Sequence, residues 1–143
     1  MREDRKAAIE LFTFTLGSGE YAFPLRYVTE VLELAAVKKL PGEKGYLAGM
    51  IQVRGELIAL VDLKKGFGFS AGKSAEQEKV IIVKTPRVKA GLIVDEVLSV
   101  ITVPASSIVE LPQGSVDNRA SSFMRVCRLK NKVIVVLDLG SVL

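Results

Sequence analysis

The side chains that most often perform acid-base or nucleophilic chemistry are scarce in this sequence. Its 143 residues include no histidine, so the usual general base and the commonest transition-metal ligand are missing. The single cysteine, Cys127, lies between Val126 and Arg128 in an apparent strand. A buried structural thiol is the better interpretation there, although a neighbouring arginine could lower the thiol pKa. One thiol forms no internal disulfide and suits a reducing compartment.

The acidic residues do not form a convergent pair either. Asp62 and Asp138 each follow an apolar run, where an aspartate most often ends a strand. Asp95 and Glu96 are adjacent, and adjacent side chains on a strand point to opposite faces. The glycines at 66–74 miss the phosphate-loop spacing, because its first glycine falls on Phe67. We therefore expect no catalytic residue, no metal and no cofactor, and predict that the chain is not an enzyme.

Arg54 is the residue that packing and turn chemistry do not require. It occupies the bend between two apolar runs at residues 49–57, where Gly55 is an ordinary turn residue. One interpretation is a plain surface charge. The other is a fixed guanidinium that pairs with a carboxylate and presents a recognition edge to a partner.

The segments around these residues predict a β-rich fold. Short runs rich in β-branched residues are bounded by glycine, proline, asparagine or charge, at residues 9–16, 20–23, 57–61, 80–83, 90–94, 97–103 and 133–137. Many short strands favour a barrel or sandwich. Residues 24–33 could form a helix or a turn followed by a strand, residues 44–49 at most one turn, and residues 70–79 an exposed loop.

Two segments occur twice in the same order. Residues 28–32 resemble residues 94–98, and residues 57–63 resemble residues 133–139, so the chain is predicted to consist of two similar halves. Chance similarity between valine-rich strands is the alternative.

Composition sets limits on partners and location. Lysine and arginine outnumber aspartate and glutamate by 20 to 16, but the basic residues are scattered and tryptophan is absent. A solvated surface is favoured over a nucleic-acid interface, and a small basic barrel that binds oligonucleotides stays as the rival function. No apolar run of about 18 residues occurs, so we expect no direct membrane insertion and a cytoplasmic location.

Four ordered motifs resemble the CheW-like chemotaxis coupling family, over residues 11–143. They are Gly-Glu-Tyr-Ala-Phe-Pro-Leu at 19–25, the Arg54-Gly55 signature followed by a strand ending in Val-Asp-Leu at 61–63, Gly-Leu-Ile-Val-Asp-Glu-Val at 91–97, and Val-Val-Leu-Asp-Leu at 135–139. Gln52 stands where the family usually has asparagine, and Arg125 stands near a position where glycine is commoner.

The resemblance implies an all-β fold with minor helix, a single domain over residues 1–143 made of two intertwined, SH3-like five-stranded barrels. It implies a non-catalytic adaptor that links the cytoplasmic tip of a methyl-accepting chemoreceptor to the regulatory domain of a chemotaxis histidine kinase. A coupling protein of a non-chemotactic pathway is the alternative. The positions matched to partner binding are Val28, Glu30, Gly49, Arg54, Gly55, Val97 and Val100.

Two geometric expectations accompany these residues. Glu30 and Arg54 should form an ion pair that rigidifies the Arg54-Gly55 turn. Val97 and Val100 are three residues apart, so they share one face of a strand only if a bend or bulge intervenes.

Overall fold

Runs of β-branched and aromatic residues between turn residues form the strands of the computed structural model, which describes residues 7–34, 39–40, 47–63, 78–110 and 124–139. The strands of these residues are β1 (Ala8–Leu16), β2 (Gly19–Pro24), β3 (Val28–Glu33), β4 (Lys39–Leu40), β5 (Leu47–Val53), β6 (Glu56–Asp62), β7 (Lys79–Lys84), β8 (Lys89–Val94), β9 (Glu96–Pro104), β10 (Ile108–Glu110), β11 (Met124–Arg128) and β12 (Val133–Leu137). Single 3-10 turns at Leu25–Tyr27 and Ala105–Ser107 precede β3 and β10.

Most of the expected local structure is confirmed. Residues 9–16 lie in β1, which forms a hairpin with β2 around Gly17 and Ser18. Residues 24–33 form one 3-10 turn and a strand, so the helical alternative for them is wrong. Residues 47–49 of the expected short turn begin β5 instead. Residues 44–46, and residues 70–77 of the predicted loop, lie outside the described residues.

The strands form two sheets, which confirms the all-β prediction. The first sheet has the order β10-β11-β12-β2-β1-β9, and the second has the order β3-β7-β8-β6-β5-β4. Six strands are thus described in each sheet, including the two-residue β4 and three-residue β10, where five were expected.

The two sheets repeat one topology, as the sequence echoes predict. Each has a central parallel pair, β12 with β2 in the first sheet and β6 with β8 in the second. The hairpin registers also repeat: Cys127 pairs with Ile134 as Ile51 pairs with Ile58, a shift of 76 residues on both strands. Each sheet takes a hairpin from the other half of the chain, since β1–β2 join the first sheet and β7–β8 join the second.

Three apolar clusters show how the sheets curl and pack. Phe14 of the first sheet and Ile81 of the second are buried in one cluster, which is the core between the sheets. A second cluster fills the second sheet. Leu32 of β3 packs against this cluster, which also contains Ile51 of β5, although three strands separate β3 from β5 in the sheet order. The third cluster fills the first sheet and includes buried Cys127. Such contacts between distant strands are expected of barrel-like, curled sheets.

Candidate functional site

The Arg54-Gly55 turn is built into the β5–β6 hairpin. Val53 pairs with Glu56, which leaves a two-residue loop. The backbone φ angles are 51° at Arg54 and 81° at Gly55, and positive φ at both central residues is the requirement of a type I′ turn. Arg54 is the one non-glycine residue with positive φ in the described part of the chain. Its side chain is therefore projected from an uncommon backbone conformation.

The expected ion pair between Glu30 and Arg54 is confirmed. Arg54 Nη1 donates to Glu30 Oε2, which joins the hairpin turn to β3 at the far side of the sheet order. The Glu30 side chain is 21% exposed, whereas that of Arg54 is 77% exposed. The guanidinium is thus oriented by the carboxylate and still faces solvent, so its remaining N–H groups are accessible to a partner.

A second ion pair joins the same hairpin to strand β8. Lys89 Nζ of β8 lies 3.0 Å from Glu56 Oε1, and Glu56 directly follows Gly55. The turn is therefore linked to β3 through Arg54 and to β8 through Glu56.

Gly49 and Val28 have structural roles in the second sheet. Gly49 is buried, has φ of 140°, and lies where the register between β5 and β6 shifts. This conformation favours glycine, because it has no Cβ. Val28 is partly buried and packs against the core between the sheets. Both residues belong to strands that the ion pair connects, Gly49 to β5 and Val28 to β3.

A bulge in β9 brings Val97 and Val100 to the same face of the first sheet. Val97 pairs with Phe14 and Val100 with Phe12, with a register shift between them. Directly paired residues share a face, and Phe12 and Phe14 both belong to the core between the sheets. Val97 packs against that core, whereas Val100 is 46% exposed. Val100 thus lies at the solvent-accessible rim of a surface that Val97 helps to support.

Thr13 holds this bulge, and the sequence analysis did not identify it. Its hydroxyl donates to Ser99 O over 2.9 Å and accepts from Ser99 N over 3.1 Å. Thr13 is 1% exposed between two buried phenylalanines. The one signal that could have identified it is a threonine between two phenylalanines in an apolar strand segment.

Asp95 anchors the start of β9. It is 2% exposed and its Oδ2 accepts from the backbone N–H of Gly17 over 2.7 Å, while its own backbone N–H donates to Thr15 O over 3.0 Å. The carboxylate therefore fastens the β1–β2 turn to the start of β9, whereas the neighbouring Glu96 is exposed.

The predicted site residues form two separate groups. Glu30, Arg54 and Gly55 meet on the second sheet, with Gly49 on the adjoining strand. Val97 and Val100 lie on edge strand β9 of the first sheet. We call the surface around the exposed guanidinium of Arg54 the cationic edge, and the exposed part of β9 around Val100 the apolar edge. The two surfaces lie on different sheets.

The nucleophile candidate is buried. Cys127 has no exposed surface, and burial raises the pKa of its thiol. The interpretation as a structural thiol is confirmed. Among the described residues, no group of three or more Cys, Asp or Glu side chains could hold a metal ion. Over the same ranges, no helix is both long enough and apolar enough to span a membrane.

Comparisons with known proteins agree on one family. The model of the CheW-like domain matches residues 10–143. The chain is 26% identical over 143 residues to the chemotaxis protein CheW of Bacillus subtilis (strain 168), a match that covers 100% of this chain and 92% of that protein. The CheW of Thermotoga maritima is 24% identical over 140 residues, covering 98% and 91%. The crystal structure of scaffolding protein TtCheW from Thermoanaerobacter tengcongensis matches with a TM-score of 0.78 at 30% identity, covering 92% of this chain and 89% of that one.

Proposed function

This chain belongs to the CheW-like domain family, and from that membership we propose that it is a non-catalytic adaptor coupling chemoreceptors to a chemotaxis histidine kinase in two-component signalling. The observation that carries the proposal is the family match over residues 10–143, together with similarity to CheW proteins along the whole chain. A cytoplasmic location is part of the proposal, because receptor tips and kinases of this system meet there.

The receptor is assigned to the edge of β9. A receptor tip is helical, and a helix binds by placing apolar anchors against an apolar surface. Val100 and Leu98 expose 46% and 43% of their surface on β9. Val97 supports them from the core between the sheets. The bulge held by Thr13 supplies the shape that such an anchor requires.

The kinase regulatory domain is assigned to the cationic edge. Arg54 is held by Glu30 in a fixed position and is largely exposed, which suits a guanidinium that recognises a carboxylate or backbone carbonyl of a partner. Gly55 permits the turn, Gly49 permits the register shift in β5, and Val28 packs β3 against the core between the sheets.

The position of the aromatic rings favours the adaptor over an oligonucleotide-binding barrel. Phe12, Phe14, Tyr21 and Phe23 are buried, with mutual ring contacts among them. The exposed large apolar side chains in the described residues are valines and leucines. Base stacking requires accessible aromatic faces, whereas a helix anchor is served by aliphatic ones.

Reconstitution with both partners tests the proposal. The chain is mixed with a chemoreceptor cytoplasmic fragment and a chemotaxis histidine kinase from the same organism, and kinase autophosphorylation is measured. We expect stimulation that requires all three components. Val100→Asp should abolish receptor binding, and Arg54→Ala should weaken stimulation about tenfold while receptor binding persists.

Val133→Asp provides the matched control, since Val133 is 56% exposed on β12, outside both assigned edges. It should behave as the unsubstituted chain. Failure of the folded chain to bind either partner would contradict the adaptor function. Tight binding of a single-stranded oligonucleotide instead would support the rival.

A further inference from the structure

A cavity of about 250 Å³ opens at one end of the first sheet. Its apolar walls include Ile9 and Leu11 of β1, Ile108 of β10 and Val136 of β12, and two arginines, Arg26 and Arg125, complete the lining. Leu11 and Val136 belong to the apolar cluster inside this sheet. The cavity is therefore a mouth of the curled sheet, apolar at its base and bearing two cationic side chains.

Arg125 reaches this mouth because of the face on which it lies. It is directly paired with Val136 across β11 and β12, so the two side chains share a face. Cys127, two residues along β11, lies on the same face and is buried in the cluster inside the sheet. Arg125 is thus on the strand face that lines the cavity, while the residue as a whole is exposed.

The repeated topology shows that this arginine is a departure from the other half. Gly49 pairs with Leu60 as Arg125 pairs with Val136, a shift of 76 residues on both strands. The second sheet therefore has a glycine where the first has a guanidinium. Positive charge at this mouth is a property of one sheet, and the shared fold does not require it.

The guanidinium groups of Arg26 and Arg125 have N–H donors that could hydrogen-bond a ligand. Arg26 Nη2 donates to Tyr27 Oη over 3.0 Å, and its Cζ lies 4.7 Å from the Tyr27 ring centroid, so this guanidinium is positioned by the ring. Glu110 is opposite Arg125 across β10 and β11, but no ion pair of the described residues joins them. A guanidinium carries five N–H donors, and one hydrogen bond uses one of them.

We propose that this cavity binds a small apolar monocarboxylate, with its hydrocarbon tail against the partly exposed Ile9 and Ile108 and its carboxylate at the guanidinium groups of Arg26 and Arg125. Planar guanidinium donors match a carboxylate, and the apolar walls exclude water from its tail. The cavity is smaller than the pockets of about 300–1,000 Å³ that hold drug-sized ligands, so it suits a short-chain carboxylate. The site is independent of the two edges assigned to the adaptor's partners.

Hexanoate is the probe for this site. The full chain, labelled at its methyl groups, is titrated with hexanoate and followed by carbon-proton NMR. We expect saturable shifts of the Ile9, Leu11, Ile108 and Val136 methyl signals. Hexanol keeps the tail without the charge, acetate keeps the charge without the tail, and hexylammonium reverses the charge. Each should bind at least about tenfold more weakly than hexanoate.

Two arginine variants separate a site from general attraction to a cationic protein. Arg125→Gln should weaken hexanoate binding about tenfold, because the charge-assisted hydrogen bond is lost. Arg128→Gln removes the same charge from an exposed position on the same strand, outside the cavity lining, and should leave the affinity unchanged. Absence of saturable shifts, equal binding of hexanol, or equal effects of the two variants would overturn the proposal. None of these outcomes bears on receptor or kinase coupling.

Discussion

At the scale of single residues, two separate features of Arg54 restrict the direction and orientation of its side chain. The positive φ of the turn projects it from the hairpin, and the ion pair with Glu30 orients its guanidinium. An exposed ion pair contributes little to folding, about 1 kcal/mol or less. The pair is thus better explained by the orientation of Arg54 than by stability.

A double-mutant cycle measures this small contribution. Arg54→Ala, Glu30→Ala and the double variant should each lower the free energy of unfolding modestly, with a coupling energy of about 1 kcal/mol or less. Arg54→Gly should be more stable than Arg54→Ala, because glycine adopts positive φ without steric cost. Urea denaturation checks both expectations. A coupling energy of several kcal/mol would show that the pair is a stability element.

Burial of Tyr21 should make the free energy of unfolding fall at alkaline pH. Its side chain is 7% exposed, and burial raises the pKa of the phenol above its ordinary value of 10.0. Because the unfolded chain ionises first, this stabilisation is complete below pH 10 and is lost as the pH rises through the higher pKa of the folded state.

Tyr21→Phe should therefore reduce the fall of the melting temperature above pH 10. The tyrosinate absorbance of the native chain should show one phenol titrating later than in the unfolded chain. Identical alkaline melting profiles for the variant and the unsubstituted chain would contradict the assignment to Tyr21.

At the scale of elements, the bulge of β9 decides on which face of the first sheet Val97 and Val100 lie. In a regular strand Val97 and Val100 would lie on opposite faces, and the register shift places both beside the aromatic residues of β1. The hydroxyl of Thr13 bonds both backbone groups of Ser99, so the irregularity is specified by a side chain.

The two valines should respond differently to the same substitution. Val97→Asp places a carboxylate against the core between the sheets and should lower the free energy of unfolding by about 2 kcal/mol or more. Val100→Asp alters an exposed position and should change it by about 0.5 kcal/mol or less. Thermal melting followed by circular dichroism compares them. Unfolding of the Val100 variant would show that this side chain contributes to the core.

At the scale of the whole molecule, exchange of hairpins makes the two halves interdependent. The β1–β2 hairpin finds its neighbours β9 and β12 in the second half, and β7–β8 find β3 and β6 in the first. The core between the sheets likewise combines both halves. Neither half therefore contains the partners of its own first hairpin.

Fragment complementation follows from this arrangement. Fragments 1–63 and 64–143, each made alone at low concentration, should show no cooperative unfolding. Their mixture should recover the melting transition and circular dichroism of the intact chain, because the pairing of strands is restored. Mixing each fragment with more of itself is the control. Cooperative unfolding of either fragment as a monomer would show that the halves are autonomous.

Local signals in the sequence were sufficient for many of the strands and for the repeat, but not for the ion pair. β-Branched runs between turn residues predict strands because that preference acts over a few residues. Residues 24–33 were ambiguous, since one turn begins like a helix and only the pairing of Val31 with Ile81 decides for a strand. Glu30 and Arg54 were identified through the family motifs, which carry long-range information that composition lacks.

Tertiary structure alone decided which strands pair, which faces meet and where the cavity lies. The exchange of hairpins is a choice between similar partners far apart in the chain, and local preference does not distinguish β9 from β3 as the neighbour of β1. The bulge depends on Thr13 reaching Ser99, 86 residues away in the chain. The mouth lined by Arg26 and Arg125 exists because curling brings distant strands to one end of a sheet. Each of these features is a long-range contact, and its free energy arises from burial that exists only once the sheets have formed.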